Sequence, residues 1–123
     1  MVALYYVGRR LPHLSREQYQ EYWRKHHGML AKRNLKAIGV SRYVQVHTID
    51  HVLNELMQDQ RGTMEPYDGM AIVEVEPDRM LEAVSTPKGA IAATELFEDE
   101  KNFTDFSRSA LWFGKEIVIF ESK

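Results

Sequence analysis

Cysteine is absent from the 123-residue chain. Its absence excludes disulfide bridges, thiolate metal ligands and cysteine nucleophiles, and it favours a reducing compartment, for which the cytoplasm fits best. A glycine-rich phosphate loop is also lacking, because the seven glycines are scattered along the chain. Neither charge dominates, since 16 basic and 18 acidic residues leave a formal net charge of −2. This balance argues against nucleic acid or an anionic membrane as a partner.

Long hydrophobic runs are missing as well. The first seven residues form a short apolar segment with no basic run before it, so we expect a strand there rather than a signal peptide or a membrane span. With 44% hydrophobic residues, the chain suits one compact domain over residues 1–123. Repeats and linkers that would mark a domain boundary are not found.

The hydrophobic pattern predicts elements in the order βαββαβ. This order is typical of an α+β ferredoxin-like sandwich, in which an antiparallel four-stranded sheet carries both helices on one face. Ser15, followed by Gln18 three residues later, predicts a capped helix start, and Gly39 predicts the helix end. Residues 49–62 carry a short helical pattern that we interpret as a mobile excursion. The predicted strands cover residues 2–7, 40–48, 68–75 and 115–121, and the predicted helices cover residues 15–35, 78–84 and 87–106.

The predicted strands are apolar on both faces. In the first strand, Leu4 and Tyr6 on one face alternate with Tyr5 and Val7 on the other. The third and fourth predicted strands likewise carry apolar residues on both faces. Because the helices cover one face only, the other face needs a second cover, and an identical subunit related by a two-fold axis is the simplest one. We therefore predict a homodimer through the sheet faces. A monomer whose long excursions cover the sheet is the alternative.

Two adjacent histidines lie on the first predicted helix. At about 100° per residue, one helix face collects the aromatic residues and His26, while His27 lies at the flank of that face. Imidazole titrates near neutral pH, so both histidines are candidates for proton transfer, although a buried histidine is more often a hydrogen-bonded core residue. In the second predicted strand, Tyr43, Gln45 and His47 point to the same side.

Several segments of the chain resemble the EthD domain family. Residues 15–27 (SREQYQEYWRKHH), the segment RYVQVH at Arg42–His47 and the tripeptide YDG at residues 67–69 follow the family's order. A later acidic and aromatic run is similar to the run before that family's last strand. It comprises Glu98, Asp99, Glu100, Phe103, Asp105, Trp112, Phe113 and Glu116.

This resemblance implies a dimeric α/β barrel and cofactor-independent chemistry on small hydrophobic rings, such as lactone isomerisation, polyketide cyclisation or decarboxylation, and ether breakdown. Trp followed four residues later by His selects His27 as the functional histidine, whereas helical spacing makes His26 the more central. We favour His27, because a catalytic imidazole borders a cavity, and we interpret His26 as filling a site that is usually apolar in the family. Gly28 follows where the family often has a nearby proline.

We expect His27 to act as a base, with His47 as its partner or as a donor that orients the substrate. Aromatic side chains would hold a planar substrate by burial, and Asp105 either faces the substrate or caps a turn. A metal site built on His47 and its neighbours Asp50 and His51 lacks a fourth ligand, so no metal and no cofactor are expected. The expected substrate-binding residues are Tyr19, Trp23, Tyr43, Trp112 and Asp105.

Two charged runs are interpreted structurally. The acidic run Glu95, Glu98, Asp99 and Glu100 is read as a solvated helix face. The basic residues Lys32, Arg33 and Lys36 are expected to complement the helix dipole near its C-terminal end.

Three functions remain open at this point. The first is a cofactor-free lyase or isomerase that acts on a small aromatic, polyketide or lactone substrate. The second is a cofactor-free monooxygenase, or an accessory protein of an oxidative catabolic pathway. The third is a dimer that binds a ligand without catalysis.

Overall fold

A computed structural model describes all 123 residues. Four antiparallel strands form one sheet in the spatial order β2-β3-β1-β4, and the helices pack on one of its faces. The predicted ferredoxin-like architecture with its four-stranded antiparallel sheet is therefore confirmed. The strands are β1 (Val2–Gly8), β2 (Arg42–His47), β3 (Gly69–Glu74) and β4 (Ala110–Lys115).

The position of the fourth strand differs from the prediction. Residues 115–121 were expected to form it because they are rich in β-branched residues, but β4 spans Ala110–Lys115. The register accounts for this difference: Val2, the first residue of β1, pairs with Lys115, and beyond this pair a single hydrogen bond from the Glu116 N–H to the Met1 carbonyl continues the ladder. The apolar residues that follow are exposed, with Ile119 at 90% and Phe120 at 82%.

The first helical segment is a continuous rod of four parts, which we call the helical rod. Ser15 caps its start, where its side chain accepts from the Gln18 backbone and the Gln18 side chain accepts from the Ser15 backbone, as predicted. Gly39 ends it in the left-handed conformation at φ 86°. The parts are α1 (Arg16–Tyr22), a π-helical turn (Trp23–His27), α2 (Gly28–Asn34) and a 3₁₀ turn (Leu35–Ile38).

The remaining helices are α3 (Val52–Arg61), α4 (Pro77–Val84) and α5 (Pro87–Glu100). The short helical pattern expected after β2 thus forms a helix of ten residues, which the His51 side chain caps. Helix α3 contacts the other elements little, whereas α5 packs on α2, α4 and the π turn. None of these helices is both long enough and apolar enough to cross a membrane.

The two faces of the sheet differ in what covers them. On the inner face, side chains such as Leu4, Tyr6 and Val73 pack beneath the helical rod and α5. No helix packs on the outer face, where two apolar rows cross all four strands and include the exposed side chains of Val46 and Trp112. One row is Val44, Ile72, Tyr5 and Trp112, and the next is Val46, Met70, Val7 and Ala110.

Candidate functional site

A cavity of about 310 Å³ lies between the inner face of the sheet and the helices. Of the 20 residues that line it, 16 are hydrophobic, so most of a bound molecule would meet apolar surface. The aromatic residues expected at the site on the helical rod and β2, Tyr19, Trp23 and Tyr43, lie together in its wall with His27. The groups able to exchange protons there are Tyr6, Tyr19, His27, Tyr43, Glu100 and Thr104.

The π-helical turn determines which histidine reaches the cavity. In a regular α-helix, a residue four positions further along the chain lies about 40° beyond a full turn. A row that starts with Tyr19 and Trp23 would therefore drift away from the buried side before it reached His27. The wider π turn, closed by the Gly28 N–H bonding to the Trp23 carbonyl, reduces this drift. Tyr19, Trp23, His27 and Ala31 consequently form one buried stripe, in which His27 is only 7% exposed.

His26 lies outside this stripe. Its side chain is 57% exposed and stacks on the Tyr22 ring, with the ring centroids 4.7 Å apart. The expectation from helical spacing that His26 lies centrally on the buried face is therefore incorrect. The physical reason is the change of helical pitch at residues 23–27, which turns His26 outward as it turns His27 inward.

Asp99 on α5 orients the His27 ring. The His27 Nδ1 atom lies 2.9 Å from an Asp99 carboxylate oxygen, and both side chains are buried. Burial lowers the pKa of His27 below its ordinary value, although the Asp99 carboxylate opposes this effect. At neutral pH the imidazole is thus uncharged, with its proton on Nδ1 facing Asp99. Its Nε2 atom has no hydrogen-bond partner in the chain and is left with a free lone pair.

Asp99 is itself held by further donors. The Tyr22 hydroxyl donates to it at 2.6 Å and the Asn102 amide at 3.3 Å, while the His26 Nδ1 atom lies 3.1 Å away. Burial works against ionisation of Asp99, but hydrogen bonds from Tyr22, His27 and Asn102 outweigh it and keep its pKa below the ordinary value. Asp99 is therefore an ionised carboxylate throughout the neutral range.

Glu100, the next residue, is a buried carboxyl group in the cavity wall. Burial raises the pKa of Glu100 to about 7, and the nearby Asp99 carboxylate raises it further, while the Tyr6 hydroxyl acts in the opposite direction. Glu100 forms no ion pair. About half of the molecules therefore carry a protonated Glu100 at neutral pH, which makes it a proton donor beside an uncharged histidine.

The acidic run on α5 is thus divided between two environments. Glu95 and Glu98 are exposed, as a solvated helix face requires, but Asp99 and Glu100 point inward. Neither inward residue could be predicted from the run itself, because the five consecutive polar positions 98–102 show no helical periodicity. The signal that could have identified them is Phe103, which packs against Tyr19, Tyr22 and His27 and marks the buried side at the end of α5.

His47 lies near the site but does not line the cavity. Its ring stacks on the Trp23 indole at 4.7 Å, and its Nε2 atom lies 2.8 Å from the Gln45 amide oxygen. The Gln45 nitrogen donates to the Trp23 carbonyl at 3.0 Å and to the Tyr43 hydroxyl at 2.9 Å. Since the Trp23 carbonyl closes the π turn, His47 and Gln45 brace the segment that positions His27.

Two other residues expected at the site lie elsewhere. Trp112 pairs with Tyr5 on the outer face of the sheet and is 50% exposed, while its neighbour Leu111 lines the cavity. Strand alternation is the reason, because β4 begins earlier than expected and its register puts Trp112 opposite an outward-facing residue. Asp105 caps a 3₁₀ turn, where its carboxylate accepts from Ser107.

The chain is similar to several known proteins. The model of the EthD domain matches residues 11–107. An ethyl tert-butyl ether D (EthD) family protein from Bacillus halodurans has a similar structure, with a TM-score of 0.59, 16% identity and coverage of 95% of this chain and 99% of that chain. HapK from Hahella chejuensis gives a TM-score of 0.57 at 11% identity, with coverage of 100% and 99%.

A hypothetical protein from Arabidopsis thaliana, solved in solution, is also similar, with a TM-score of 0.53, 11% identity and coverage of 98% of this chain and 91% of that chain. No curated protein sequence matches the chain. At these identities the solved structures establish the shared fold only. The family match, by contrast, covers most of the chain, and the protein belongs to the EthD domain family.

Proposed function

We propose that the protein is a small enzyme that carries out cofactor-independent acid–base chemistry on a small hydrophobic aromatic, polyketide or lactone substrate. The observation that carries this proposal is the neutral His27, whose Nδ1 atom is held by Asp99 at 2.9 Å in the wall of an apolar cavity. A base of this kind suits decarboxylation, isomerisation or cyclisation, reactions that share an enol or enolate intermediate.

The proposed first step is removal of a proton from a carbon next to a carbonyl group. The His27 Nε2 lone pair takes the proton, the C–H electron pair forms the enol double bond, and the carbonyl electron pair moves onto oxygen. The resulting imidazolium is stabilised by the buried Asp99 carboxylate, which favours the charged ring. Such a positioned base contributes on the order of 10²- to 10⁴-fold to the rate.

Glu100 is the proposed acid of the same step. Its carboxyl group donates a proton to the carbonyl oxygen as negative charge develops there, and it regains the proton when the enol collapses. Because the pKa of Glu100 is about 7, about half of the molecules hold this proton at neutral pH, and the group both donates and regains it readily. The base His27 and the acid Glu100 lie in the wall of one cavity, which meets the first condition for concerted transfer.

The proposed enzyme is a homodimer in which the outer faces of two sheets meet. The two apolar rows of the sheet cross this face. The apolar side of α3 is also exposed, with Val52 at 61% and Leu56 at 51%. Exposed apolar patches of this extent are typical of subunit contacts. The free energy gained by covering them favours association of two copies about a two-fold axis.

Exchange of carbon-bound hydrogen tests the catalytic proposal directly. We would incubate 2-tetralone, a bicyclic aromatic ketone with an activated methylene group, with the protein in deuterated buffer and follow loss of the methylene signal by NMR. The wild-type protein should accelerate the exchange, and His27→Gln should lower the acceleration by about 10²- to 10⁴-fold.

His13→Gln is the matched control, because His13 is an exposed histidine in the loop before the helical rod. This variant should exchange deuterium like the wild type, and the melting temperature should show that His27→Gln is folded. The catalytic role would be refuted if the wild-type protein exchanged deuterium no faster than buffer alone. It would also be refuted if a folded His27→Gln variant exchanged as fast as the wild type, and the protein would then only bind ligands.

A further inference from the structure

A second concave surface, which we call the basic groove, adjoins the cavity between the helical rod, β2 and α4. Five of its 14 lining residues are cations, and none is acidic. This is a local excess, because the chain as a whole carries a net charge of −2. The five cations are Arg24, Lys32, Lys36, Arg42 and Arg79.

Complementing a helix end does not account for this groove. Lys32 and Lys36 lie near the C-terminal end of the helical rod, where cations stabilise the helix dipole. Arg42, however, comes from β2 and Arg79 from α4. Arg79 reaches the groove by laying its side chain across Gly39, where its Cγ atom lies 3.0 Å from the position that a Cβ atom would take. Cations from three elements thus converge on one surface.

Most of these cations are unpaired within the chain. Arg24, Lys32, Lys36 and Arg79 make no ion pair, and Arg42 lies 3.9 Å from the half-buried Glu74 carboxylate. A concave surface lined by charges of one sign focuses its electric field, which attracts an ion of the opposite sign. The groove therefore has the properties of an anion site.

The basic groove and the cavity share a wall. Ala31, Leu35 and Tyr43 line both, so the apolar interior and the cationic surface lie side by side. We infer that the basic groove binds the anionic group, a carboxylate or a phosphate, of a substrate whose apolar ring occupies the cavity. This inference rests on the proposed function and narrows its substrate class to amphiphilic acids.

A matched pair of probes tests the inference. We would measure the affinity of 2-naphthoate and of its uncharged methyl ester by calorimetry, with 2-naphthyl phosphate distinguishing phosphate from carboxylate as the preferred anion. The wild-type protein should prefer naphthoate to the ester by about 10-fold, because each of several exposed charges contributes modestly. Raising the salt concentration should reduce this preference, since exposed charges are screened.

The groove variant combines Arg24→Gln, Lys32→Gln and Arg79→Gln. It should bind 2-naphthoate no more tightly than it binds the uncharged methyl ester. A control variant combines Arg33→Gln, Arg61→Gln and Lys88→Gln, which makes the same change of net charge at exposed cations outside the groove. The control variant should keep the preference for naphthoate.

The outcomes separate this inference from the proposed function. If the ester binds but naphthoate gains nothing, or if both variants lose the preference equally, the groove is not an anion site and the cavity proposal is unaffected. If neither probe binds, the cavity does not take an aromatic ring, and both proposals are refuted. A stronger preference for naphthyl phosphate than for naphthoate would identify phosphate as the anionic group.

Discussion

Replacing Asp99 by asparagine should separate the charge of this residue from its shape. The carboxylate accepts from His27 at 2.9 Å and from the Tyr22 hydroxyl at 2.6 Å, and it is only 5% exposed. Asparagine has the same size but offers one acceptor oxygen and one donor NH₂ group. Because the Tyr22 hydroxyl can accept from that NH₂ group, the amide oxygen can stay on His27, and the imidazole keeps its proton on Nδ1.

The expected loss of stability follows from these two hydrogen bonds. A hydrogen bond to a charged group contributes about 1.5–3 kcal/mol, against about 1 kcal/mol for a neutral pair. Converting both bonds from charged to neutral should therefore lower the free energy of unfolding by about 1–4 kcal/mol. A chemical denaturation series at pH 7 measures this quantity.

The same change should weaken His27 as a base. The Asp99 carboxylate raises the pKa of His27 against the effect of burial, so its loss should lower that pKa further. The acid limb of the rate profile for 2-tetralone exchange should then move to lower pH, while the plateau rate falls by about 10- to 100-fold. The loss should stay below the roughly 10⁴-fold that follows when an orienting amide inverts the imidazole tautomer.

Glu98→Gln provides the control, since Glu98 is an exposed carboxylate on the same helix whose ion pair is with Lys101. It should change neither the pH profile nor the plateau rate. An Asp99→Asn protein that is destabilised but retains both the wild-type acid limb and the wild-type plateau would refute the positioning role and leave Asp99 as a purely structural residue.

Two further predictions concern the buried acid and the outer face. Burial raises the pKa of Glu100 from 4.5 to about 7, so the folded protein binds a proton that the unfolded chain releases, and stability falls as pH rises through this range. Glu100→Gln should accordingly raise the melting temperature more at pH 8 than at pH 5, and it should abolish the alkaline limb of the exchange rate. An equal change of melting temperature at both pH values would contradict the raised pKa. Ile72→Glu places a charge at the centre of the outer face and should convert the proposed dimer to a monomer in sedimentation experiments, whereas Ile91→Glu, on an exposed site of α5, should not. A wild-type monomer at micromolar concentration would count against the sheet-to-sheet dimer.

The order of elements and the limits of the first helix could be predicted because they depend on local chemistry. Ser15 and Gln18 satisfy each other's backbone groups at the helix start, and Gly39 adopts the left-handed conformation at its end. Strand alternation likewise placed Tyr43, Gln45 and His47 on the side that faces the helices. The last strand was misplaced because pairing depends on a strand distant in sequence, and β1 pairs with Ala110–Lys115 rather than with the β-branched residues that follow.

What the sequence by itself determined is the set of elements and the aromatic stripe, since capping and periodicity act within a few residues of chain. Only the tertiary structure decided which polar groups meet in the cavity. Gln45 on β2 donates to the Trp23 carbonyl of the helical rod, the π turn rotates His27 inward, and the packing of α5 buries Asp99 and Glu100 beside it. Each of these events depends on residues distant in sequence, because the pitch of a helix and the pKa of a carboxyl group respond to whatever is packed against them.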